Sequence, residues 1–506
     1  MYALTGKAMQ YMDKYTMSMG IPSSVLMENA AKGAVDIISE KFSDKSTKLL
    51  IVCGAGNNGG DGLALARWLM HLKYNVSVYF IGEIGKASEE FMRQLSILSK
   101  AYPELIIGGI NGTADKNILS SSYDVIVDAI FGIGLNKRLG YNYVKFVEYL
   151  NSKDAYKIAL DIPSGLNSTS GQEMDACFKA DMTICFGNHK TGMFFDAGPK
   201  CCGEIELVDI GLIESGYRAI GDKLFICNDK YFDSTYEKAL APRLEQSHKG
   251  TYGTVGIIVS TNGMLGASML SAKAAYRTGC GLVKIFCPSK YIGFFNVSIP
   301  EAVVVPYKSD DVVGAMSEFT KAVDVILIGP GLSEDSTGRL LVKQVLAGKV
   351  PTVFDAGAIN IISKNLKALR KRSCPCVLTP HLGEMARLCN EDINIVAKNR
   401  IGFARKFTEK FSLSMLVKSD TTVISLINSK GAQKLLLNTV GNSGLATAGS
   451  GDVLAGVIAS LIAQGNSLNN SLLYGTMIHG RAAEKFGDDA DSKRKMMAGD
   501  IVNYLF

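Results

Sequence analysis

The chain has no CxxC pair, no basic block interleaved with aromatic residues and no apolar run long enough to cross a bilayer. Each absence removes a class of function. Without CxxC spacing the eleven cysteines do not read as a metal ribbon or redox motif, although Cys201 and Cys202 are neighbours and Cys374-Pro375-Cys376 places two close together. Most, such as Cys53 and Cys287, sit inside apolar strand-like runs, which is the usage of small buried hydrophobes in a reducing cytoplasm. A net charge of +6 over 506 residues is small, so a nucleic-acid partner is not expected. The longest apolar stretch, Val453 to Ala463, is interrupted by Gly456 and falls short of the roughly 20 residues a membrane span needs. The segment MYALTGKAMQYMDKYTMSMG lacks an apolar signal core. A cytoplasmic location without a membrane partner is the expectation.

What the chain does have is two glycine-rich segments far apart. The first is Gly54-Ala55-Gly56-Asn57-Asn58-Gly59-Gly60-Asp61-Gly62; the second, Gly444 to Gly456, contains Ala448-Gly449-Ser450-Gly451-Asp452. Each joins bare backbone to a carboxylate. Residues without Cβ let N–H groups approach a phosphate, and a helix N-terminus adds a favourable dipole. Two such loops suggest two sites for phosphate-bearing ligands.

The surrounding pattern is α/β. Lys48–Cys53 reads as a buried strand, the first glycine loop follows, Leu65, Leu69 and Leu72 recur at helical spacing, and Asn75–Phe80 reads as the next strand. That is a βαβ unit, and it implies a parallel sheet with right-handed crossovers. Further strands are expected at Val125–Val127, Lys157–Leu160 and Met182–Phe186. The stretch from Gly211 to Gly250 is more polar, lacks a strand series and holds the domain boundary. A second α/β series begins at Thr254–Val259 and continues at Leu282–Cys287, Val325–Ile328, Thr352–Phe354 and Met415–Val417.

In the first half, Gly54-x-Gly56-x-x-Gly59 fits the dinucleotide fingerprint, with Glu83 placed where a ribose-binding acid would sit; a plain strand-to-helix turn is the competing reading. Asp128 ends the strand that leads into Gly132-Ile133-Gly134, and Asp161 ends the strand before Ile162-Pro163-Ser164-Gly165. Carboxyl ends of parallel strands face one crevice, so Asn58, Asp128, Asp161 and Ser164 are expected to converge, unless each aspartate is only a loop cap. In the second half the ordered signals are Gly263–Ser268, Gly329-Pro330-Gly331-Leu332, Thr379-Pro380-His381-Leu382-Gly383-Glu384, Val417–Thr422 and Gly449–Asp452. Asp452 reads either as the N-cap of an apolar helix or as a base beside backbone N–H groups able to hold developing negative charge, the combination phosphoryl transfer uses.

These segments, with Leu26-Met27-Glu28-Asn29-Ala30-Ala31, resemble the YjeF family. Residues 1–215 resemble its N-terminal domain, the NAD(P)H-hydrate epimerases, with a Rossmann-like three-layer fold around a parallel sheet. Residues 225–506 resemble its C-terminal domain, a ribokinase-like ADP- or ATP-dependent NAD(P)H-hydrate dehydratase, leaving 216–224 as a linker. The resemblance implies that Asn57, Asn58, Gly59, Gly60 and Asp61, together with Gly132, Ile133, Gly134, Leu135, Asn136, Lys137 and Arg138, bind the hydrated dinucleotide. It implies that Asn58, Asp128 and Ser164 hold potassium and that Asp161 is the acid/base. Oxygen donors at strand ends suit a hard cation. In the second domain it implies that Ala267, Gly331 and His381 contact the hydrated cofactor, that Lys418, Ser419, Asp420, Thr421, Thr422 and Gly451 contact the nucleotide, carried with Mg2+, and that Asp452 activates the substrate hydroxyl. Ser419 stands where the family usually has Gly after the Lys, and Ser333 where another Gly is common.

The implied activity is repair of hydrated nicotinamide cofactors: epimerisation of the R and S hydrates of NADH and NADPH, then nucleotide-driven dehydration of the S form, by a homo-oligomer. The fused arrangement resembles the bacterial form, which implies ADP as phosphoryl donor, with ATP open. The alternatives are a ribokinase-type small-molecule kinase with a non-catalytic N-terminal module, a binding scaffold, and a plain NAD-dependent dehydrogenase.

Overall fold

A computed structural model describes residues 1–105, 107–109, 116–221, 223–235, 240, 242–260 and 263–506. The chain divides into two compact units, Met1–Leu224 and Phe225–Phe506.

In the first unit the strand Lys48–Cys53 alternates its side chains between two apolar clusters. Leu49, Ile51 and Cys53 enter one, and Leu50 and Val52 enter the other. Burial on both faces is what a parallel sheet covered by helices requires. Seven strands form that sheet in the order Ile107–Gly108, Asn75–Phe80, Lys48–Cys53, Val125–Ala129, Tyr156–Leu160, Met182–Phe186, Glu204–Val208, each pair parallel. The chain runs outward from Lys48–Cys53 on one side, then returns to Val125–Ala129 on the other. The crevice above that reversal is where open α/β sheets take ligands. Register levels the strand ends around it: Cys53 pairs with Ala129, Asp128 with Ala159, and Leu160 with Ile184. The helix foreseen from leucine spacing runs Asn57–His71; Leu65 and Leu69 are buried, while Leu72 at its C-cap is exposed.

The second unit repeats the scheme. Its strands lie in the order Val303–Tyr307, Leu282–Pro288, Thr254–Ile258, Val325–Ile328, Thr352–Phe354, Cys376–Leu378, Ser414–Val417, all parallel, and Thr422–Ile427 and Gln433–Asn438 follow antiparallel. The reversal falls between Thr254–Ile258 and Val325–Ile328. The polar Gly211–Gly250 stretch, from which no strand series was expected, holds the strand Leu224–Cys227 and the helix Asp229–Thr235. That strand stands alone among polar residues, with no second apolar run beside it to form a series. All eleven cysteines are free, and ten are buried. Among the described residues no helix is long and apolar enough to cross a membrane.

The helix Ser450–Ala463 lies directly against the helix Leu265–Arg277. Ser271 Oγ donates to the Asp452 carbonyl at 2.8 Å, and Ser460 Oγ donates to the Ala275 carbonyl at 2.8 Å. Gly456 permits this approach, because a Cβ there would stand 2.2 Å from the Ser271 carbonyl oxygen. Gly456→Ala gains about 1 kcal/mol of helix propensity. The clash is with fixed backbone, and overpacking of that kind costs about 1–3 kcal/mol. The variant is expected to unfold at lower denaturant; an unchanged or raised midpoint would show that the helices can separate freely.

Candidate functional sites

The first site is a cavity of about 700 Å³ above the strand ends of unit one. Its glycine loop is a matter of space. A Cβ on Gly54 would stand 2.0 Å from the Ile130 carbonyl oxygen, and one on Gly59 would stand 1.8 Å from that of Gly54. Bare backbone therefore packs the loop against the neighbouring strand end and starts the helix Asn57–His71 at the cavity wall.

Asn57, Asn58, Asp61, Asp161 and the run Gly132–Lys137 all line the cavity. Gly59 and Gly60 are buried in the helix start, and Arg138 stands apart, exposed, with its guanidinium 3.4 Å from Asp175. Beneath the floor, Asp128 and Ser164 are fully buried. Asp128 accepts from the Ser164 N–H and hydroxyl, each at 2.7 Å, and from the Ile130 N–H at 3.1 Å. Burial pushes its carboxyl up to about 6 against those hydrogen bonds. Asn58 donates to the Phe131 and Leu160 carbonyls at 3.0 and 3.2 Å, which leaves its buried Oδ1 without a hydrogen-bond partner. An orphaned buried amide oxygen, with a buried carboxylate and hydroxyl under the same floor, gives oxygen donors of the kind a hard cation takes.

Asp161 adopts a left-handed backbone at φ +65°, a conformation that costs a non-glycine residue about 1–3 kcal/mol. Its N–H donates to the Ile184 carbonyl at 2.8 Å, and its Oδ1 is paired with the ammonium of the buried Lys190. Asp13, on the helix Gly6–Ser18, also lines the cavity; desolvation first, then the Asp161 charge, pushes it up to about 6. Sequence reading missed both Lys190 and Asp13. A signal existed for Lys190, since Phe186-Gly187-Asn188-His189-Lys190 is another strand end followed by a positive-φ glycine. Glu83, expected near the ribose, is not among the cavity-lining residues; it is exposed and paired with Lys86 at 2.7 Å. The fingerprint spacing matched, but the chain after Phe80 turns through Gly82 and carries the carboxylate outward.

The second site gathers strand-end residues of unit two. Asp452 is the third residue of the helix Ser450–Ala463, and the cap position belongs to Gly449 at φ +89°, so Asp452 is not the N-cap. The buried His479 Nε2 lies 3.4 Å from Ser450 Oγ at the same helix start. Lys418 Nζ donates to the buried Asp355 Oδ1 at 2.6 Å, and a Cβ on Gly451 would stand 3.1 Å from that ammonium. Desolvation first, then the Asp355 charge, pushes Asp452 up to about 6 while Lys418 pulls the other way. His381 caps the helix Leu382–Cys389. Its Nδ1 accepts from the Gly383 N–H at 3.0 Å, and its own N–H donates to Glu384 Oε2 at 2.9 Å. Lys418 N–H donates to the Pro380 carbonyl at 2.8 Å, tying the His381 turn to the Lys418–Thr422 loop. Ala267 lies half-buried in the first turn of its helix. Next to it, Ser268 Oγ donates to the Pro330 carbonyl at 3.0 Å, and Gly331 at φ +71° would place a Cβ 2.4 Å from that hydroxyl. Sequence reading missed Asp355.

Neither serine that replaces a glycine is strained, since neither Ser333 nor Ser419 has a positive φ. Ser419 Oγ accepts from the buried Arg400 guanidinium at 2.8 Å and donates to the Thr421 carbonyl at 2.7 Å. Arg400 also bonds Asp420 Oδ1 at 2.5 Å.

A family model described as YjeF-related protein N-terminus matches residues 23–192, and one described as NAD(P)H-hydrate dehydratase matches residues 255–505. The bifunctional NAD(P)H-hydrate repair enzyme Nnr of Moorella thermoacetica is 33% identical over 521 aligned residues, covering 100% of this chain and 96% of that protein. The chain belongs to the bifunctional NAD(P)H-hydrate repair enzymes. The Escherichia coli (strain K12) relative of the same name is 29% identical over 96% of this chain and 90% of that one. Among solved structures, an ADP/ATP-dependent NAD(P)H-hydrate dehydratase from Bacillus subtilis, co-crystallised with ATP/Mg2+, aligns at 26% identity and TM-score 0.47, covering 56% of this chain and 96% of that one.

In this chain Ser419 locks the Lys418–Thr422 loop through its hydrogen bonds with the Arg400 guanidinium and the Thr421 carbonyl. Ser419→Gly removes two hydrogen bonds, worth about 0.5–1.5 kcal/mol for the neutral one and about 1.5–3 kcal/mol for the one to the guanidinium. If the loop receives nucleotide, as the resemblance implies, the expected outcome is a severalfold higher KM for nucleotide at nearly unchanged kcat. An unchanged KM would show that the loop holds its shape without the hydroxyl.

Proposed function

We propose that this chain restores hydrated NADH and NADPH, with unit one interconverting the R and S hydrates and unit two dehydrating the S form with ADP. The observation that carries the reading is the placement of Asp452, one residue beyond the helix-start Gly451 and within the field of the Lys418–Asp355 pair. A carboxylate there can take a proton while the adjoining N–H groups and the ammonium hold phosphoryl oxygens.

Water added beside the ring nitrogen makes a hemiaminal. In unit one Asp161 removes the hydroxyl proton, the carbon–nitrogen bond breaks with its electron pair passing to the ring nitrogen, and an aldehyde forms. Rotation and re-addition of nitrogen to the other carbonyl face, with return of the proton, inverts the centre. Asn58, Asp128 and Ser164 would hold potassium beneath the cavity, where the cation supplies positive potential toward the dinucleotide phosphates.

In unit two Asp452 takes the proton of the S-hydrate hydroxyl as its oxygen attacks the terminal phosphorus of ADP, and AMP leaves with the bridging oxygen. The phosphate ester then loses phosphate and a ring proton, which restores the double bond. Hydroxide leaves poorly and phosphate leaves well, so the transfer makes the elimination feasible. Among the described residues no group of three or more His, Cys, Asp or Glu side chains could hold a metal ion, so magnesium would enter on the nucleotide phosphates. ADP is favoured over ATP on the fused arrangement, and the cytoplasm, where the reduced cofactors circulate, is the proposed location. A ribokinase-type small-molecule kinase is not favoured, because the bifunctional relatives match along nearly their whole length.

Asp452→Asn tests the assignment. It is expected to lose nucleotide-dependent recovery of reduced-nicotinamide absorbance by 10²-fold or more, with epimerisation intact. Near-normal dehydration of S hydrate would remove Asp452 from the chemistry.

The pH dependence has a definite sign. Asp452 acts ionised and its carboxyl is raised to about 6, so the dehydration rate should fall as pH drops through about 6 and stay level above it. A rate that rises on acidification would contradict a base at this position.

A further inference from the structure

Against Asp161 lies a buried lysine that no part of the proposed chemistry uses. Lys190 is 0% exposed and is not among the residues lining the cavity. Its ammonium meets Asp161 Oδ1, the Phe186 carbonyl at 2.9 Å and Cys185 Sγ at 3.4 Å. Three donors have three partners. The Cys185 thiol donates in turn to the Asn188 carbonyl at 3.0 Å, and burial pushes it up to about 11, so Asp161 is the negative charge this lysine touches. Backbone pairing fixes the lysine. Leu4 lies opposite Lys190 in a short parallel bridge, and the helix Gly6–Ser18, which carries Asp13, follows directly.

We propose that Lys190 is a positioning residue for epimerisation: its buried ammonium holds the Asp161 carboxylate, rather than Asp13 or Asp61, as the base aimed into the cavity. The inference rests on the reading of Asp161 as the acid/base. Asp13, Asp61 and Asp161 come from three different elements and line one cavity. Glu90, also at its wall, is held by Ser23 at 2.5 Å and Arg93 at 3.1 Å. Like charges in one cavity disfavour one another's charged forms, and a cation in contact with one of them favours its charged form. Desolvation, then Asp161, holds Asp61 well above the usual carboxylate range, and the same two causes raise Asp13. Structural need does not account for the lysine. Burying an ion pair costs several kcal/mol per charge, and apolar side chains of similar volume serve stability as well or better.

The test uses the full chain and follows epimerisation of R hydrate against pH, hydrate binding, and thermal unfolding. Lys190→Met is expected to bind hydrate within severalfold of the parent while the acid limb of kcat moves up by about 1–3 pH units, the span an adjacent opposite charge commands. Lys190→Arg should return most of that shift. Asp13→Asn, which removes one competing carboxylate and leaves the lysine in place, should move the limb down, and it decides the matter if Lys190→Met fails to fold. A folded Lys190→Met with an unmoved limb, or Asp13→Asn with an unmoved limb, overturns the proposal. Asp161→Asn separates the two levels. If it still epimerises, the acid/base reading itself falls; if it is inactive while Lys190→Met keeps the parental profile, only the role of Lys190 does.

Discussion

One interaction recurs in both units: a lysine held against an aspartate at the carboxyl edge of a parallel sheet, Lys190 with Asp161 and Lys418 with Asp355. Lys190 and Asp355 are almost completely buried. An isolated ammonium or carboxylate in such places would cost several kcal/mol, so each member is tolerable only because the other faces it. In each unit other carboxyl groups lie within the field of the pair. In unit one the pair stands among Asp13 and Asp61; in unit two it stands beside Asp452. Desolvation lifts these neighbours, and the charges of the pair set how far. For Asp452, the proposed base of unit two, a carboxyl raised to about 6 is poised to exchange a proton near neutral pH.

The pairs exist because the strand ends are level. Register sets Cys53 beside Ala129 and Leu160 beside Ile184, so Gly54, Ile130 and Asp161 leave the sheet at one height. The glycine turns follow from that crowding. Gly54 and Gly59 lie where any Cβ would strike a neighbouring carbonyl, and Gly456 plays the same part under the helix that carries Asp452. The fused chain thereby carries two clusters of one design, each at the strand ends of its own sheet.

Much of the fold was legible because buried parallel strands are uninterrupted β-branched runs; Lys48–Cys53, Asn75–Phe80, Met182–Phe186, Val325–Ile328 and Thr352–Phe354 fall where the pattern put them. Cys376–Leu378 was hidden between Pro375 and Pro380, which read as a loop, and Leu224–Cys227 by the polar stretch around it. Asn57, Asn58, Asp61 and Asp161 were visible because each adjoins a glycine turn or a strand end, and the cavity gathers them. Lys190, Asp13 and Asp355 were not, since their significance lies in pairings made across the sheet edge rather than in local spacing. Glu83 shows the reverse failure: the fingerprint distance was right, but one turn at Gly82 sends the carboxylate to solvent.

The central claim is that one chain both inverts and dehydrates the hydrated cofactor, and purified R hydrate tests it most directly. With ADP and magnesium, the full chain should convert all of the R hydrate to reduced cofactor well above the rate of spontaneous epimerisation in an enzyme-free control; without ADP it should only equilibrate R with S. Recovery no faster than spontaneous epimerisation allows, or equal recovery without nucleotide, would contradict the account.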